Sequence, residues 1–361
     1  MKFRWIFCCM ILTVLPAGSA GARELVLNAV GDIMLAGSAV PTLERFGYDY
    51  PFAACRAELK KGDLAVGNLE APIARHGDEF TDKRFRFRAA PQSAGALRRA
   101  GFSVLTLANN HMMDFGAGAL RETVRTLDGC GIRHTGAGET LADARRPVFI
   151  RTEAGTVAFL AYSLTFPEEF YAAADHAGTA PGYAGQVRED IVKAKASADY
   201  VVVSFHWGSE GASLPHAYQI RAAHAAIDAG ADVVLGHHPH VLQGIERYRK
   251  GIIFYSLGNF AFGSRSRTAL RSVIARITLD DGVRGVELVP LDVDNGRVRF
   301  QPRPLTGKKG EEVIDRLNDI SRQFGTVVAG SDGGFRVDMS RGIETAANEE
   351  GHGHVPTVRG N

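Results

Sequence analysis

Short apolar runs alternate with amphipathic, helix-like stretches through most of this 361-residue chain. Brief apolar runs bounded by Gly, Asp or Asn are typical of buried strands, and apolar residues repeated every three or four positions predict helices. The predicted strands are Leu25–Val30, Leu64–Val66, Ser103–Leu107, Thr156–Ala161, Tyr200–Phe205, Asp232–Leu235 and Ile252–Tyr255. The predicted helices are Gln92–Ala100, Gly118–Leu127, Arg188–Ala196 and Ala217–Ala229. This alternation predicts an α/β sandwich.

The pattern changes after residue 270. Residues 271–303 alternate as strands, and the turn sequences Asp280-Asp281-Gly282 and Asp294-Asn295-Gly296 predict a hairpin meander. An amphipathic helix is expected from Glu311 to Arg322. We therefore expect a main domain over 23–304, a helical extension over 305–345 and a disordered polar tail over 346–361. The tail histidines His352 and His354 are interpreted as solvated surface.

The first 22 residues have the form of a secretory signal. Lys2 and Arg4 precede an apolar run from Ile6 to Leu15, and Ala20-Gly21-Ala22 forms a small-residue cleavage pattern. The run is shorter than the roughly 20 residues needed to span a bilayer. The sequence therefore predicts export, to the periplasm or another extracytoplasmic site, after cleavage near residue 22.

Composition narrows the class of partner. With 45% hydrophobic residues the chain can bury a sizeable core. Removal of residues 1–22 leaves equal numbers of basic and acidic residues, and this balance gives no reason to expect a nucleic-acid partner. The two cysteines beyond the signal, Cys55 and Cys130, either pair in an oxidising compartment or remain as buried thiols.

Polar side chains that can bind metals recur directly after five of the predicted strands. The carboxyl ends of strands in an α/β sheet converge on one crevice, so this placement predicts a site. The residues are Asp32, Asn68, Glu70, Asn109, Asn110, His111, His206, Glu210, His237, His238 and His240. Carboxylates, an amide and imidazoles together suit Mn, Fe or Zn. A set of six candidate ligands among these residues favours a site with two divalent ions.

Taken singly, several of these residues have ordinary explanations. Asp32 can cap a helix, Glu70 can form a loop ion pair, and His206 can be a satisfied core histidine. The sequence Gly-His-His-Pro-His, which holds His237, His238 and His240, is hard to explain by packing. Joint placement at five strand ends favours a metal centre.

The same residues lie in segments that resemble the CapA-type capsule synthesis proteins, which are associated with poly-γ-glutamate assembly and are similar to calcineurin-like metallophosphoesterases. The resemblance covers roughly Leu25 to Arg303. It rests on VGDIML, GDLAVGNLEAPI, LANNHMMDFG, VVVSFHWGSE, GADVVLGHHPHVLQGIE and YSLGNFAF. It implies a two-sheet sandwich flanked by helices, in four α/β/β/α layers, with the C-terminal meander and helix added and a dinuclear site at the strand ends.

The resemblance also implies roles. Asp32 would be the first metal carboxylate and Glu70 the bridging one. The other ligands would be Asn110, His206, His238 and His240, whereas the place of His237 stays open. His111 would serve as proton donor or oxyanion stabiliser, and Asn68 and Glu210 join it as candidate catalytic residues. The chain departs from the phosphoesterase pattern at Met34, where a histidine ligand is usual, and at Glu70, where Asp is usual.

These features lead to three hypotheses of function. The first is an exported, metal-dependent hydrolase that makes, processes or exports an anionic polymer such as poly-γ-glutamate, with a membrane polymer synthase complex as a further partner. The second is a metallophosphatase acting on small phosphate esters or nucleotides, which the loss of a ligand at Met34 disfavours. The third is a non-catalytic capsule-assembly factor, which would not require His111.

One loop carries a candidate polymer contact. Arg84, Arg86 and Arg88 alternate with phenylalanines, and a strand there would place the guanidinium groups on one face, where they could hold polymer carboxylates. A charged, solvated strand edge explains the same pattern.

Overall fold

The structure is a computed structural model that describes residues 23–331 and 334–340. The predicted signal and polar tail, with His352 and His354, lie outside the described residues. The strands are β1 (Leu25–Met34), β2 (Leu64–Leu69), β3 (Val104–Thr106), β4 (Arg133–Thr135), β5 (Ala137–Gly138), β6 (Val148–Thr152), β7 (Gly155–Ser163), β8 (Gly178–Thr179), β9 (Tyr200–His206), β10 (Val233–His237), β11 (Ile245–Tyr248), β12 (Gly251–Phe254), β13 (Asn259–Phe262), β14 (Arg271–Leu279), β15 (Val283–Asp292), β16 (Arg303–Pro304), β17 (Val328–Ser331) and β18 (Gly334–Val337).

The helices follow the predicted amphipathic stretches closely, and all four early predictions are confirmed. None of the described helices is long and apolar enough to cross a membrane. They are α1 (Val40–Phe46), α2 (Arg56–Leu59), α3 (Gln92–Ala100), α4 (Gly116–Gly129), α5 (Leu141–Ala144), α6 (Ala184–Lys195), α7 (Ala217–Asp228), α8 (Asn295–Val298) and α9 (Gly307–Ser321).

Most of these strands form two mixed sheets. The first has the order β17-β18-β15-β14-β1-β2-β3-β4, with β13 beside β1 and β16 beside β15. The second has the order β11-β12-β10-β9-β7-β6. Strands β1, β2, β3 and β4 are parallel to one another, as are β7, β9, β10 and β12. The parallel part of the first sheet therefore runs from β1 to the edge strand β4, and that of the second sheet is central; within each part the carboxyl ends of the strands lie together.

The two sheets pack face to face, because alternate residues of their strands are apolar. Leu27 of β1 and Val66 of β2 share one buried cluster with Val202 of β9 and Leu235 of β10. The outer face of the first sheet is covered by α3 and α4, and that of the second by α6 and α7. The predicted helix-flanked two-sheet sandwich is confirmed.

The C-terminal segment joins this sandwich. Leu317 of α9 packs in the same cluster as the inter-sheet residues, and β17 and β18 extend the first sheet. The hairpin at Asp280-Asp281-Gly282 forms as predicted between β14 and β15. The second predicted hairpin turn is wrong: Asp294 instead caps the short helix α8, and a strand of only two residues returns to β15.

The arginine-rich loop differs from its prediction as well. Residues 84–88 belong to no strand. Contacts with side chains, and not backbone pairing with another strand, fix the position of this segment. The Phe87 backbone N–H donates to the Asp114 carboxylate, and Arg86 pairs with Glu79. Cys55 and Cys130 are free, and burial raises the pKa of the Cys55 thiol to about 12.

Candidate metal centre

The predicted ligands lie at the carboxyl edge that the two sheets share. Asp32 of β1 is paired in register with Asn68 of β2, and His206 of β9 is paired with His237 of β10. Glu70 follows β2 by one residue. The strands run further than their apolar cores, so that Asp32, Asn68, His206 and His237 lie within strand ends and not in the loops after them. Sheet pairing thereby fixes their spacing.

Two glycines allow strands to approach closely beside the site. A Cβ atom on Gly31 would lie 1.8 Å from the Gly258 carbonyl oxygen, and one on Gly236 would lie 2.0 Å from the Tyr255 carbonyl oxygen. Neither position has room for a side chain. Gly31 thus lets the Asp32 backbone N–H donate to Gly258, which ties β1 to the segment before β13.

Asp32 is fully buried and lies between several donors. Its Oδ1 lies 2.9 Å from Asn68 Nδ2 and 3.0 Å from His237 Nδ1, and its Oδ2 lies 3.2 Å from His240 Nδ1. The backbone N–H of His238 donates to Oδ2 as well. Burial alone would raise the pKa of Asp32, but hydrogen bonds from His237 and His240 hold it well below its usual range. Asp32 is therefore a carboxylate at neutral pH.

Glu70 is equally buried but lacks a partner at one oxygen. Oε2 accepts from Asn68 Nδ2 at 3.2 Å, whereas Oε1 has no hydrogen-bond partner among the residues that the structure describes. This Oε1 lies 3.7 Å from both His206 Nε2 and His240 Nε2. Burial, with the nearby Asp32 carboxylate, raises the pKa of Glu70 well above its usual range. A buried carboxylate left in this way calls for a cation.

His206 connects the ligands of the two sheets. Its Nε2 lies 3.0 Å from Asn110 Oδ1, and its Nδ1 lies 3.3 Å from Asn68 Nδ2. Burial, followed by the nearby His238 ring, lowers the pKa of His206 well below its usual range. The imidazole is therefore neutral, as metal ligation requires.

Asn68, predicted to be catalytic, lies beneath these side chains. Its amide contacts Asp32, Glu70 and His206, and its Oδ1 accepts from Asn109 Nδ2. It is 1% exposed. These contacts orient Asp32 and Glu70, and the catalytic role of Asn68 stays a prediction.

The turn after β10 carries two ligands in an uncommon backbone conformation. His238 has φ +93° and His240 has φ +60°, backbone angles that residues other than glycine rarely adopt. Strain of this kind costs about 1–3 kcal/mol per residue and concentrates at functional sites. Burial lowers the pKa of His238 to about 3, and its buried Nδ1 has no hydrogen-bond partner in the described part of the chain.

These residues fit divalent metal ions. Glu70, His206 and His238 form one group whose ligand atoms lie within 4.8 Å of one another, and Asp32, Glu70 and His240 form a second. Glu70 belongs to both groups, which is what a bridging carboxylate requires. Within the described residues, Glu70 Oε1 and His238 Nδ1 are buried polar atoms without a hydrogen-bond partner, which favours a bound ion at this centre. His237 belongs to neither group and instead orients Asp32.

His111 lies beside this centre in a second polar cluster. Its Nδ1 is 2.6 Å from Asp114 Oδ2, and its ring packs on Phe87. Burial lowers the pKa of His111, although Asp114 opposes the shift. Nδ1 is held by the Asp114 carboxylate, and within residues 23–331 and 334–340 the other ring nitrogen has no hydrogen-bond partner, so it is the atom available for proton transfer.

Lys83 completes this cluster from the arginine-rich loop. Its Nζ lies 2.8 Å from Asp114 Oδ1 and 2.8 Å from His111 Nδ1, and it also donates to the Asn110 carbonyl oxygen. Sequence reasoning missed Lys83 and Asp114. Asp114 has a recoverable signal, since it follows His111 by three residues, but Lys83 lies in irregular sequence.

Asn259 was missed as well. Its Oδ1 lies 2.9 Å from His240 Nδ1, and its strand β13 pairs with β1 at Asp32. The segment containing Asn259 contributed to the resemblance, but no role followed from it. The candidate Glu210 is exposed, in the loop after β9, and its carboxylate lies with His238 and His240 in a third group of possible ligands.

Met34 lies in an apolar cluster and not among the candidate ligands. Its side chain is buried in a small apolar cluster with Ala36, Ala71 and Phe262. The Phe262 ring packs in turn against His240. The position therefore contributes packing next to the centre and no imidazole.

Sequence comparison connects these residues to a family. Residues 26–264 match the family described as bacterial capsule synthesis protein PGA_cap. The capsule biosynthesis protein CapA of Bacillus anthracis is 35% identical over 81% of this chain and 72% of its own length. The PGA biosynthesis protein CapA of Bacillus subtilis (strain 168) is 34% identical over 74% of this chain and 72% of its own length. A probable polyglutamine synthesis accessory protein of Mycobacterium tuberculosis is 33% identical over 73% of each.

Solved structures are more distant. A hypothetical protein from Thermus thermophilus aligns with 74% of this chain and 99% of its own, at 15% identity and a TM-score of 0.47. The NAD nucleotidase of Haemophilus influenzae aligns with 82% of this chain and 63% of its own, at 11% identity and a TM-score of 0.44.

Proposed function

Because this chain belongs to the bacterial capsule synthesis protein family PGA_cap, we propose that it is an exported, metal-dependent hydrolase acting on poly-γ-glutamate or a related anionic γ-glutamyl polymer. The observation that carries the proposal is the buried cluster around Glu70, where possible ligands from both sheets converge and two buried atoms, Glu70 Oε1 and His238 Nδ1, have no hydrogen-bond partner among the described residues. The names of the relatives support the choice of polymer.

Two groups of ligands would hold two divalent ions. Asp32, Glu70 and His240 would hold one, and Glu70, His206, His238 and Asn110 the other. Bound divalent ions supply a water that ionises near neutral pH and a positive charge for an anionic transition state. Asn68 and His237 fix the orientation of the carboxylates, which limits rearrangement when the centre is loaded.

His111 would handle the proton of the leaving group. In hydrolysis of a γ-glutamyl amide, water adds at the carbonyl carbon, the C–N bond breaks, and the leaving nitrogen must gain a proton. With Nδ1 held by Asp114, Nε2 of His111 would take up the proton that the attacking water gives up and would then pass it to the leaving nitrogen. Lys83 secures Asp114 and the Asn110 backbone, which couples the proton donor to a metal ligand.

The loop that carries Lys83 also offers a contact for an anionic chain. Arg84 and Arg88 on this loop are exposed, and their guanidinium groups lie over the rings of Phe85 and Phe115. Guanidinium groups bind carboxylates in a planar, paired geometry. These exposed guanidinium groups therefore favour a path of the polymer past the centre along this side.

The test is incubation of Mn²⁺-loaded and Zn²⁺-loaded protein with poly-γ-glutamate and with a generic phosphate ester. We expect shortening of the polymer and release of free amines, lost in His111→Asn, with little release of phosphate. Cleavage of the ester alone would support the phosphatase hypothesis. Metal binding without either reaction would favour a non-catalytic assembly factor and overturn the hydrolase.

A further inference from the structure

We propose that Glu210 is an additional metal ligand, which reaches the centre from an exposed loop and replaces the imidazole that Met34 does not supply. The inference rests on the metal centre proposed above. Its geometric basis is that the ligand atoms of Glu210, His238 and His240 all lie within 4.8 Å of one another. His238 and His240 belong to different ion positions, so Glu210 stands between the two.

The environment of Glu210 favours a ligand over a structural carboxylate. Within 23–331 and 334–340 its carboxylate makes no hydrogen bond or ion pair with another residue, although histidines lie close by. His238 is nine-tenths buried, yet its Nδ1 also has no partner. An exposed carboxylate and an unpartnered buried imidazole in one group leave a cation as the shared partner that satisfies both.

The backbone on both sides of Glu210 is anchored. Gly208 N–H donates to Tyr218 Oη at 2.6 Å, and Ser209 Oγ lies 3.0 Å from His216 Nε2. On the other side, Gly211 N–H donates to the Pro239 carbonyl at 2.9 Å, in the middle of the His238-Pro239-His240 turn. This last bond ties the loop to the ligands themselves. These hydrogen bonds therefore hold Glu210 beside the centre.

The number of donors leaves room for another ligand. The group Glu70, His206 and His238 has Asn110 beside it, and the group Asp32, Glu70 and His240 has Asn259 beside it, whereas Met34 is packed into an apolar cluster. A thioether is also a poor ligand for Mn, Fe or Zn compared with oxygen or imidazole. Glu210 would supply a further carboxylate donor next to His240.

Charge leads to the same conclusion. Two divalent ions carry more positive charge than the carboxylates of Asp32 and Glu70 neutralise. Both carboxylates are fully buried on the inner side of the centre. Glu210 adds a negative charge on the outer side, where solvent would otherwise be the only compensation.

The experiment measures metal binding and does not require a substrate. Wild type, Glu210→Gln and the control Glu312→Gln, on the exposed side of α9, are stripped with chelator and titrated calorimetrically with Mn²⁺. Bound metal is counted by elemental analysis. We expect Glu210→Gln to weaken the less tightly held ion at least about tenfold and Glu312→Gln to match wild type. Equal metal binding by Glu210→Gln and wild type would overturn the inference.

A second variant tests the compensation directly. Met34→His introduced into Glu210→Gln restores an imidazole on the other side of the centre, and we expect it to recover the lost affinity. Recovery in a folded double variant is not expected if Glu210 acts only through substrate. If Met34→His does not fold by circular dichroism, the comparison of Glu210→Gln with Glu312→Gln decides. A wild type that binds no metal would overturn the proposed centre itself, which is a different outcome.

Discussion

The imidazole of His240 connects two buried carboxylates. Its Nδ1 lies 3.2 Å from Asp32 Oδ2, across 208 positions in sequence, and its Nε2 lies 3.7 Å from Glu70 Oε1. Although burial opposes the charge, Glu70 and Asp32 raise the pKa of His240 to about 9. In the metal-free protein His240 is thus a cation that stands where a metal ion would bring its own charge.

This shift predicts a pH dependence of the metal-free protein. A histidine whose folded-state pKa lies above its unfolded value stabilises the fold fully below about pH 6.5, and this contribution is lost as the pH rises toward about 9. Urea unfolding in chelator should therefore show stability falling over this window in wild type. His240→Asn should reduce this fall, and the part that remains belongs to Glu70, whose raised pKa acts in the same direction. An unchanged slope in the variant would contradict the assigned shift.

Metal content should depend on His206 and not on exposed histidines. His206→Ala removes a ligand from the group with Glu70 and His238 and opens a buried space. We expect a large loss of bound metal, measured by elemental analysis after dialysis. His176→Ala, at an exposed position, is the control and should keep wild-type content. Equal content in both variants would rule out the ligand set.

Glu70 and His111 should separate ligation from catalysis. Glu70→Ala removes the carboxylate common to both ion positions and should abolish metal binding together with the stabilisation that bound metal gives. His111→Asn should keep metal and melting temperature but lower turnover by roughly a hundredfold or more. Loss of metal in His111→Asn would make His111 a ligand, and full activity would remove it from the mechanism.

Lys83 should contribute to the stability of the fold through its buried ion pair with Asp114. Lys83→Met leaves the fully buried Asp114 carboxylate without its cation, and we expect a loss of about 1–3 kcal/mol in the free energy of unfolding. Lys193→Met breaks the exposed pair with Glu189 and should cost less than about 1 kcal/mol. Metal content should stay at the wild-type level in both. A similar cost in the two variants would mean that the buried pair has no special weight.

Export is tested at the N-terminus. If residues 1–22 are a cleaved signal, Edman sequencing of protein from the extracytoplasmic fraction should begin near Gly21 or Arg23. An intact Met1 in the cytoplasmic fraction would contradict export. The same fractionation shows whether the protein lies outside the cytoplasm.

The sequence by itself determined the strand cores, the main helices and the set of metal-capable residues. Apolar periodicity shows which face of an element is buried, and a polar residue directly after a buried strand must lie at a sheet edge. Asp32, His206 and His240 could be named for that reason. The helix-flanked sandwich followed from the alternation of elements and the resemblance.

Only the tertiary structure decided how these residues are arranged. Whether His237 or His238 joins a group of possible ligands depends on a turn with positive φ that no periodicity encodes. Lys83 reaches Asp114 from a loop without a regular pattern, and Asn259 reaches His240 through the pairing of β13 with β1. These are contacts between distant segments set by sheet register and loop packing. Local sequence carries no record of which distant partner fills a given space, and the folded chain alone settles it.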